Sequence, residues 1–315
     1  MKMSMVSLGC DKNTVDSEMM LGLMNEKGFE NTDIDEEAEV MIINTCGFIQ
    51  SAKEESINMI LNLCNQKDAG KLKKVFVMGC LSERYMDELK AEIPQVDKFY
   101  GKFNWKDLLK DLQSDYDTQT LGERVLTTPS HYAYIKIAEG CNRMCAYCAI
   151  PLITGHHVSR PKEEILDEVR ELVAQGVKEF QIIEQELTYY GIDLHNKPMI
   201  AELVEEMAKI PGVEWIRLHY AYPNDFPTDL LRVIKENNNV CNYLDIALQH
   251  ISDNVLQRMR RHVTKQETLN LIKKMREEVP NLCIRTTLLV GFPGETEEDF
   301  KELYNFVRDT RFDRM

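Results

Sequence analysis

The stretch Tyr132-Ala133-Tyr134-Ile135-Lys136-Ile137-Ala138-Glu139-Gly140-Cys141-Asn142-Arg143-Met144-Cys145-Ala146-Tyr147-Cys148 decides the fold. Residues Tyr132–Ala138 alternate as a strand does, and Glu139-Gly140 ends that strand directly before three cysteines spaced C-x3-C-x2-C. These supply three soft thiolates within one tight loop. A closed zinc site normally takes four ligands, often from two C-x2-C pairs. Iron–sulfur clusters are held by thiolates at short spacings of this kind. A four-iron cluster with three protein ligands leaves one iron open, here beside the aromatic Tyr147, where a small molecule can bind and be reduced. The competing reading is a zinc loop completed by a distant residue, or chance spacing among nine cysteines.

Downstream of the loop, strand and helix patterns alternate. The helix Lys162–Gln175 carries Ile165, Leu166, Val169, Leu172 and Val173 on one face, with Pro161 in its first turn and Gly176 at its end. Strands are expected at Phe180–Ile183, Val213–His219, Leu244–Leu248 and Ile284–Val290. Helices are expected around Ile200–Lys209, Thr228–Glu236, Gln266–Glu278 and Glu297–Arg308, the last capped by Thr296. Five βα units in a row predict a barrel-like parallel sheet with function on its C-terminal strand ends. On that rim fall Glu184, Gln185, Arg217, His219, Gln249 and the turn Gly291-Phe292-Pro293-Gly294, followed by Glu295. Plainer readings stand beside these. His250 alone is better read as satisfying backbone groups at a strand end, His156-His157 as a solvated loop pair, and the glycine loop as a turn. Glycine there also lets backbone approach a ligand closely, on the edge that carries the cysteines.

Upstream, three segments share one design. The apolar runs Met3–Leu8, Val40–Ile43 and Val75–Met78 lead into Gly9-Cys10, Asn44-Thr45-Cys46 and Gly79-Cys80. Each is followed by a helical pattern: Thr14–Lys27, Ala52–Cys64, and Glu83–Leu89 onwards. Such alternation reads as βαβ units of an open parallel sheet, whose C-terminal strand ends share one edge. Cys10, Cys46 and Cys80 then converge as a second three-thiolate set; three buried structural cysteines are the bland alternative. Cys64 reads as core, as do Met19, Met20 and Met24, and Glu36-Glu37-Ala38-Glu39 reads as a solvated loop. Asp11, Asn13 and Thr14 offer N-cap oxygens for the first helix, with Gly28 as its stop; Ser51 with Glu54 is a capping box for the second, and Ser82 precedes the third. The pattern weakens from Lys102 to Thr128, with a polar cluster at 113–120. The boundary is placed near residue 130, giving domains 1–128 and 129–315.

A chain of 315 residues suggests two domains. Its formal net charge of −14 argues against a general nucleic-acid surface and is compatible with a basic protein partner. The N-terminus has no apolar run of signal-peptide length, and no stretch approaches a membrane span. The expected compartment is the cytosol, where cysteines more often mean metal or catalysis than disulfides.

Taken together, Cys141-x3-Cys145-x2-Cys148 with Tyr147 resembles the radical S-adenosylmethionine (SAM) signature. The resemblance implies a 4Fe–4S cluster on the three thiolates, an open iron that chelates the amino and carboxylate groups of SAM, and Tyr147 near the adenine. Gln185, Gln249 and Gly291, Phe292, Pro293, Gly294 and Glu295 are then the candidate SAM contacts on the rim. Cys10, Cys46 and Cys80 narrow the likeness to the methylthiotransferases, whose amino-terminal domain carries an auxiliary 4Fe–4S cluster on three such cysteines. The stretches Val6–Glu18, Asn44–Ile49 and Gly79–Tyr85 resemble the RimO branch, which methylthiolates the β-carbon of an aspartate in small-subunit ribosomal protein twelve. The fold implied is an N-terminal open parallel α/β sheet domain followed by a partial (β/α) radical SAM barrel. The chemistry implied is reductive cleavage of SAM, hydrogen abstraction by the 5′-deoxyadenosyl radical, sulfur held at the second cluster and a methyl group from a second SAM. An electron donor such as flavodoxin or ferredoxin is implied as well. Rival readings are the tRNA-modifying MiaB branch and a non-catalytic iron–sulfur or zinc protein. Two departures from the family pattern stand out: Thr154 replaces an arginine, and Glu184-Gln185-Glu186 replaces an Ala-Gln-Asp-like stretch. A buried Glu184 would be costly unless paired. A sixth barrel strand and a small carboxy-terminal β-barrel (TRAM) domain are expected to be missing beyond Arg311–Met315.

Overall fold

The computed structural model describes residues 2–32, 37–102, 104–112 and 124–315, apart from the Trp105 side chain. Glu36 and the polar cluster at 113–120 lie outside the described residues. The chain divides into two compact units, Met1–Thr127 with Leu152–Thr154, and Thr128–Pro151 with Gly155–Met315.

The first unit runs β1 (Lys2–Ser7), α1 (Asp11–Glu26), β2 (Glu30–Asn31), β3 (Val40–Thr45), α2 (Gln50–Asp68), β4 (Lys74–Gly79), α3 (Cys80–Glu92), β5 (Lys98–Phe99) and α4 (Trp105–Asp111). The strands form one sheet in the order β2-β1-β3-β4-β5, every pair parallel. Strand β3 is buried along its whole length, because apolar clusters cover both faces of the sheet. Met41, Ile43, Val75 and Val77 pack on one side with Ile60, Leu63 and Cys64. Met3, Ile42, Phe76 and Met78 pack on the other with Met20, Met24 and Leu108. Met19 is only half-buried, and Ala38, expected in a solvated loop, is buried.

The expected caps of these helices are not formed. α1 begins at Asp11 with Cys10 as its N-cap, α2 at Gln50 after Ile49, and α3 at Cys80 after Gly79, all without a side-chain cap bond. The candidate cap residues fall inside the helices, and two of their side chains are used elsewhere. Asn13 Nδ2 donates to the Leu8 and Thr45 carbonyls, and Ser82 Oγ to that of Tyr100.

The second unit runs β6 (Tyr132–Lys136), β7 (Ala138–Glu139), the start of α5 (Ile150–Thr154, of which Leu152–Thr154 count with the first unit), β8 (Val158–Ser159), α6 (Lys162–Ala174), β9 (Glu179–Ile183), a 3-10 turn (Leu187–Tyr189), α7 (Ile192–His195), α8 (Ile200–Ala208), β10 (Trp215–Ala221), α9 (Asp229–Glu236), β11 (Val240–Gln249), α10 (Asp253–Arg258), α11 (Lys265–Glu278), β12 (Cys283–Leu288) and α12 (Glu297–Thr310). Its main sheet has the order β12-β11-β10-β9-β6, all parallel, as a run of βα units dictates. Alternation separates an apolar face from a more polar one that is still largely covered. Ile135, Ile182, Leu218, Ile246 and Ile284 are fully buried on one face. The other face carries ion pairs across the strands, Arg217 with Glu179 and Arg285 with Asp245. Past β12, Arg314 bridges in parallel to Arg285, and Thr286 N–H donates to the Arg314 carbonyl. The sheet therefore continues by one bridge where a sixth strand was expected to be missing. Thr296 caps α12 as expected, in a reciprocal capping box with Asp299.

Candidate functional site

In the second unit, the strand expected over Tyr132–Ala138 stops at Lys136, and β7 turns aside to pair antiparallel with β8. Gly140 makes the turn possible. It has φ 84°, and a Cβ there would sit 2.0 Å from the His156 carbonyl oxygen. The cysteine loop is then pinned by backbone bonds, Cys141 N–H to the Gly155 carbonyl and Ala146 N–H to that of Met259. Arg143 N–H donates to Cys141 Sγ at 3.4 Å.

Side chains that sequence reasoning missed surround the loop. Arg261 is buried, with Nη1 3.6 Å from Cys145 Sγ and 3.1 Å from the Tyr147 hydroxyl. Tyr222 donates to the Arg261 carbonyl and lies 3.7 Å from Cys145 Sγ, its ring stacked on Arg261 at 4.0 Å and Arg143 at 4.4 Å. Arg143 is held by Glu186 at 3.0 Å. Burial pushes the Cys141 thiol up to about 12 and raises Cys148 as well. These thiols are disfavoured as bare anions, and a bound cation would displace their protons outright. That donor set fits an iron–sulfur group.

The rim residues are placed as follows. Gln185 Nε2 donates to Glu139, and its Oε1 is buried and has no hydrogen-bond partner among the described residues. Gln249 has φ 69° and Tyr220 φ 65°, beside register slips of β10 and β11. Such irregularities re-aim side chains at strand ends. Glu295 Oε2 accepts the N–H groups of Gly291 and Phe292, at 2.6 and 3.0 Å, so it shapes the Gly-Phe-Pro-Gly loop from within. His250 Nδ1 accepts from Ser252 N–H.

One expectation is overturned. His156 is exposed, but His157 is buried, with Nδ1 2.9 Å from Glu184 Oε1, close enough for charge attraction though poorly aligned as a hydrogen bond. Glu184, on the buried face of β9's end, needs that partner. His157 Nε2 continues to Ser159, which donates to Asp193. Thr154 is buried as well.

In the first unit the structure brings Cys10, Cys46 and Cys80 to the C-terminal edge of the sheet, Cys10 exposed and the others buried. Asn13 ties the edge together. It donates to the Leu8 and Thr45 carbonyls, accepts Asn44 Nδ2 on its own carbonyl, and lies 3.7 Å from Cys80 Sγ. Gly47 permits the close approach, since a Cβ there would sit 2.8 Å from the Cys80 carbonyl oxygen. Burial pushes the Cys80 thiol up to about 12, and the charges of Cys10 and Cys46 add to it. Lys102 opposes them, a buried ammonium 3.5 Å from Asp16. The starts of α1 and α3 also face this edge with their positive dipole ends, which suits an anionic thiolate cluster. Among the described residues no three His, Cys, Asp or Glu side chains are grouped as a single metal ion requires. A mononuclear zinc draws its sulfurs to about 2.3 Å; a four-iron cluster spreads them further.

A parallel βα sheet with a three-cysteine loop at the C-terminal end of its first strand defines a class, the barrels that carry an open-sided iron–sulfur cluster. Residues 135–307 match the Radical SAM superfamily, and residues 2–101 match Uncharacterized protein family UPF0004. The chain is 65% identical over 312 residues to the ribosomal protein uS12 methylthiotransferase RimO of Bacteroides fragilis, covering 98% of this chain and 72% of the relative. It is 64% identical over 316 residues to that of Bacteroides thetaiotaomicron, covering 100% and 72%. It is 52% identical over 317 residues to that of Flavobacterium johnsoniae, again covering 100% and 72%. Among solved structures, the radical S-adenosylmethionine methyltransferase TsrM of Kitasatospora setae shares the fold. The TM-score is 0.70 at 13% identity, over 99% of this chain and 73% of that one. The chain belongs to the radical SAM superfamily and, within it, to the RimO methylthiotransferases.

Proposed function

We propose that the chain is a radical SAM enzyme that adds a methylthio group to the β-carbon of an aspartate in ribosomal protein uS12. The observation that carries this is the pair of three-cysteine sets, one at the C-terminal edge of each parallel sheet. Cys141, Cys145 and Cys148 hold one 4Fe–4S cluster, and Cys10, Cys46 and Cys80 hold the other. When bound, the first supplies the electron that cleaves SAM and the second a place to hold sulfur. The chain's own residues do the rest. Tyr147, Gln185 and Gln249 would line the cofactor's site, and the Gly291–Gly294 loop, braced by Glu295, would bring backbone against it. The stack of Arg143, Tyr222 and Arg261 covers the Cys145 side of the loop. The domains divide as residues 1–128, carrying the auxiliary cluster, and 129–315, carrying the SAM site. A net charge of −14 suits a basic protein partner. No helix among the described residues is long and apolar enough to cross a membrane, and the proposed compartment is the cytoplasm. A small flavodoxin or ferredoxin is the proposed electron donor.

The test is an anaerobic assay with SAM, sulfide and reductant, offering uS12 and tRNA in parallel. The expected result is a mass gain of one methylthio group on uS12 alone. Modification of the tRNA, or of neither, overturns the reading.

A further inference from the structure

We propose that Arg261 is a positioning residue whose buried charge faces the Cys145 sulfur and raises the reduction potential of the cluster held by Cys141, Cys145 and Cys148. The inference rests on the cluster assignment above. Arg261 is 2% exposed, and among the described residues it has no carboxylate partner. A buried guanidinium without a counter-anion is strongly disfavoured. Its neighbours are Cys145 Sγ at 3.6 Å, the Tyr147 hydroxyl at 3.1 Å, the face of Tyr222 at 4.0 Å and the Ala247 carbonyl, which accepts from Nη2. The one group in that set that carries full negative charge in a metal-bound state is the Cys145 sulfur. The backbone points the same way. Arg260 and His262, on either side, both lie in the left-handed region, with φ 57° and 53°. That region is unfavourable for any residue but glycine, and the strain turns one cation of the α10–α11 loop inward. A mere tether would not need it, because Ala146 N–H already bonds the Met259 carbonyl.

The direction of the effect follows from charge. Reduction adds one electron to the cluster, and a fixed, buried cation beside one of its sulfurs stabilises the added charge. Removing the cation makes reduction harder.

The experiment is an EPR-monitored redox titration of the two-cluster protein, wild type against R261Q and R261K, following the signal that responds to added SAM. R261Q is expected to lower the ratio of reduced to oxidised cluster about ten-fold at a fixed potential, a shift of about 59 mV for one electron. R261K, its charge drawn back on a shorter stem, is expected to fall between. Unchanged potentials in the variants that take up the cluster overturn the proposal. So does failure of both variants to take it up, since Arg261 would then build the loop rather than tune it. If the wild type shows no SAM-responsive cluster, the cluster assignment fails instead.

Discussion

Glu184 and His157 are shut off from solvent, yet each is a group that ordinarily titrates, near 4.5 and 6.5 respectively. Burial raises the Glu184 carboxyl to about 7, only partly offset by His157. Burial pulls His157 down, but Glu184, Asp193 and Glu186 outweigh it and leave His157 above its ordinary value. The native pair therefore keeps a proton that the unfolded chain has released. Stability falls as pH rises from the ordinary carboxylate value of 4.5 to about 7, and His157 extends the same trend through its own raised value. The slope for one such proton is at most about 1.4 kcal/mol per pH unit. Glu184→Gln is expected to flatten it, as anaerobic urea denaturation at about pH 5 and about pH 7 would show; an unaltered slope removes Glu184 as its source. Half of this was legible in sequence. Glu184 shares parity with Phe180 and Ile182, which marks it as buried. Its partner was not legible, because His157 lies 27 positions earlier and nothing periodic links the two. Arg261 was hidden differently: Arg260, Arg261 and His262 look alike in a row, and only the backbone at 260 and 262 selects the one that turns inward.

Among the elements, helix starts divide the chain in two. α12 obeys its sequence signature, Thr296 accepting from Asp299 N–H while Asp299 accepts from Thr296 N–H. Asp299 also accepts from Asn254 and Ser252, so this cap fixes the end of the Gly-Phe-Pro-Gly loop against α10. Thr296→Ala is expected to lower stability by about 1 kcal/mol, read from the urea midpoint, and to leave cluster content unchanged. A loss below a few tenths of a kcal/mol would show the cap to be idle. α1, α2 and α3 ignore equally good signatures at Asn13, Ser51 and Ser82. There the chain enters the helix at or near a cysteine, and tertiary demands on the sheet edge override local capping. The long strands and their parallel βα arrangement were legible, since apolar runs alternating with amphipathic helices permit little else, but the two-residue edge strands β2 and β5 carried no such run. The aside of β7 was not, because it depends on how closely Gly140 meets His156.

At the level of the whole chain, the two cysteine sets make separable predictions. Cys141→Ala is expected to abolish 5′-deoxyadenosine formation together with methylthiolation. Cys10→Ala is expected to leave deoxyadenosine formation intact and abolish methylthiolation. Chromatographic quantitation of deoxyadenosine beside mass analysis of uS12 checks both; methylthiolation surviving in Cys10→Ala would leave the second set without a role in sulfur transfer. The architecture and both thiolate sets could be read from spacing and from strand-then-cysteine repetition. The side chains that encircle them could not, as Tyr222 and Asn13 carry no signature of their own. The bare starts of α1 and α3 have a further meaning for biogenesis. With no side chain closing those helices, a cluster held on Cys10, Cys46 and Cys80, as proposed, would itself be their cap. Maturation and the last stage of folding would then be one event at that edge, and iron starvation would leave a chain that is native in its sheets but frayed where it works.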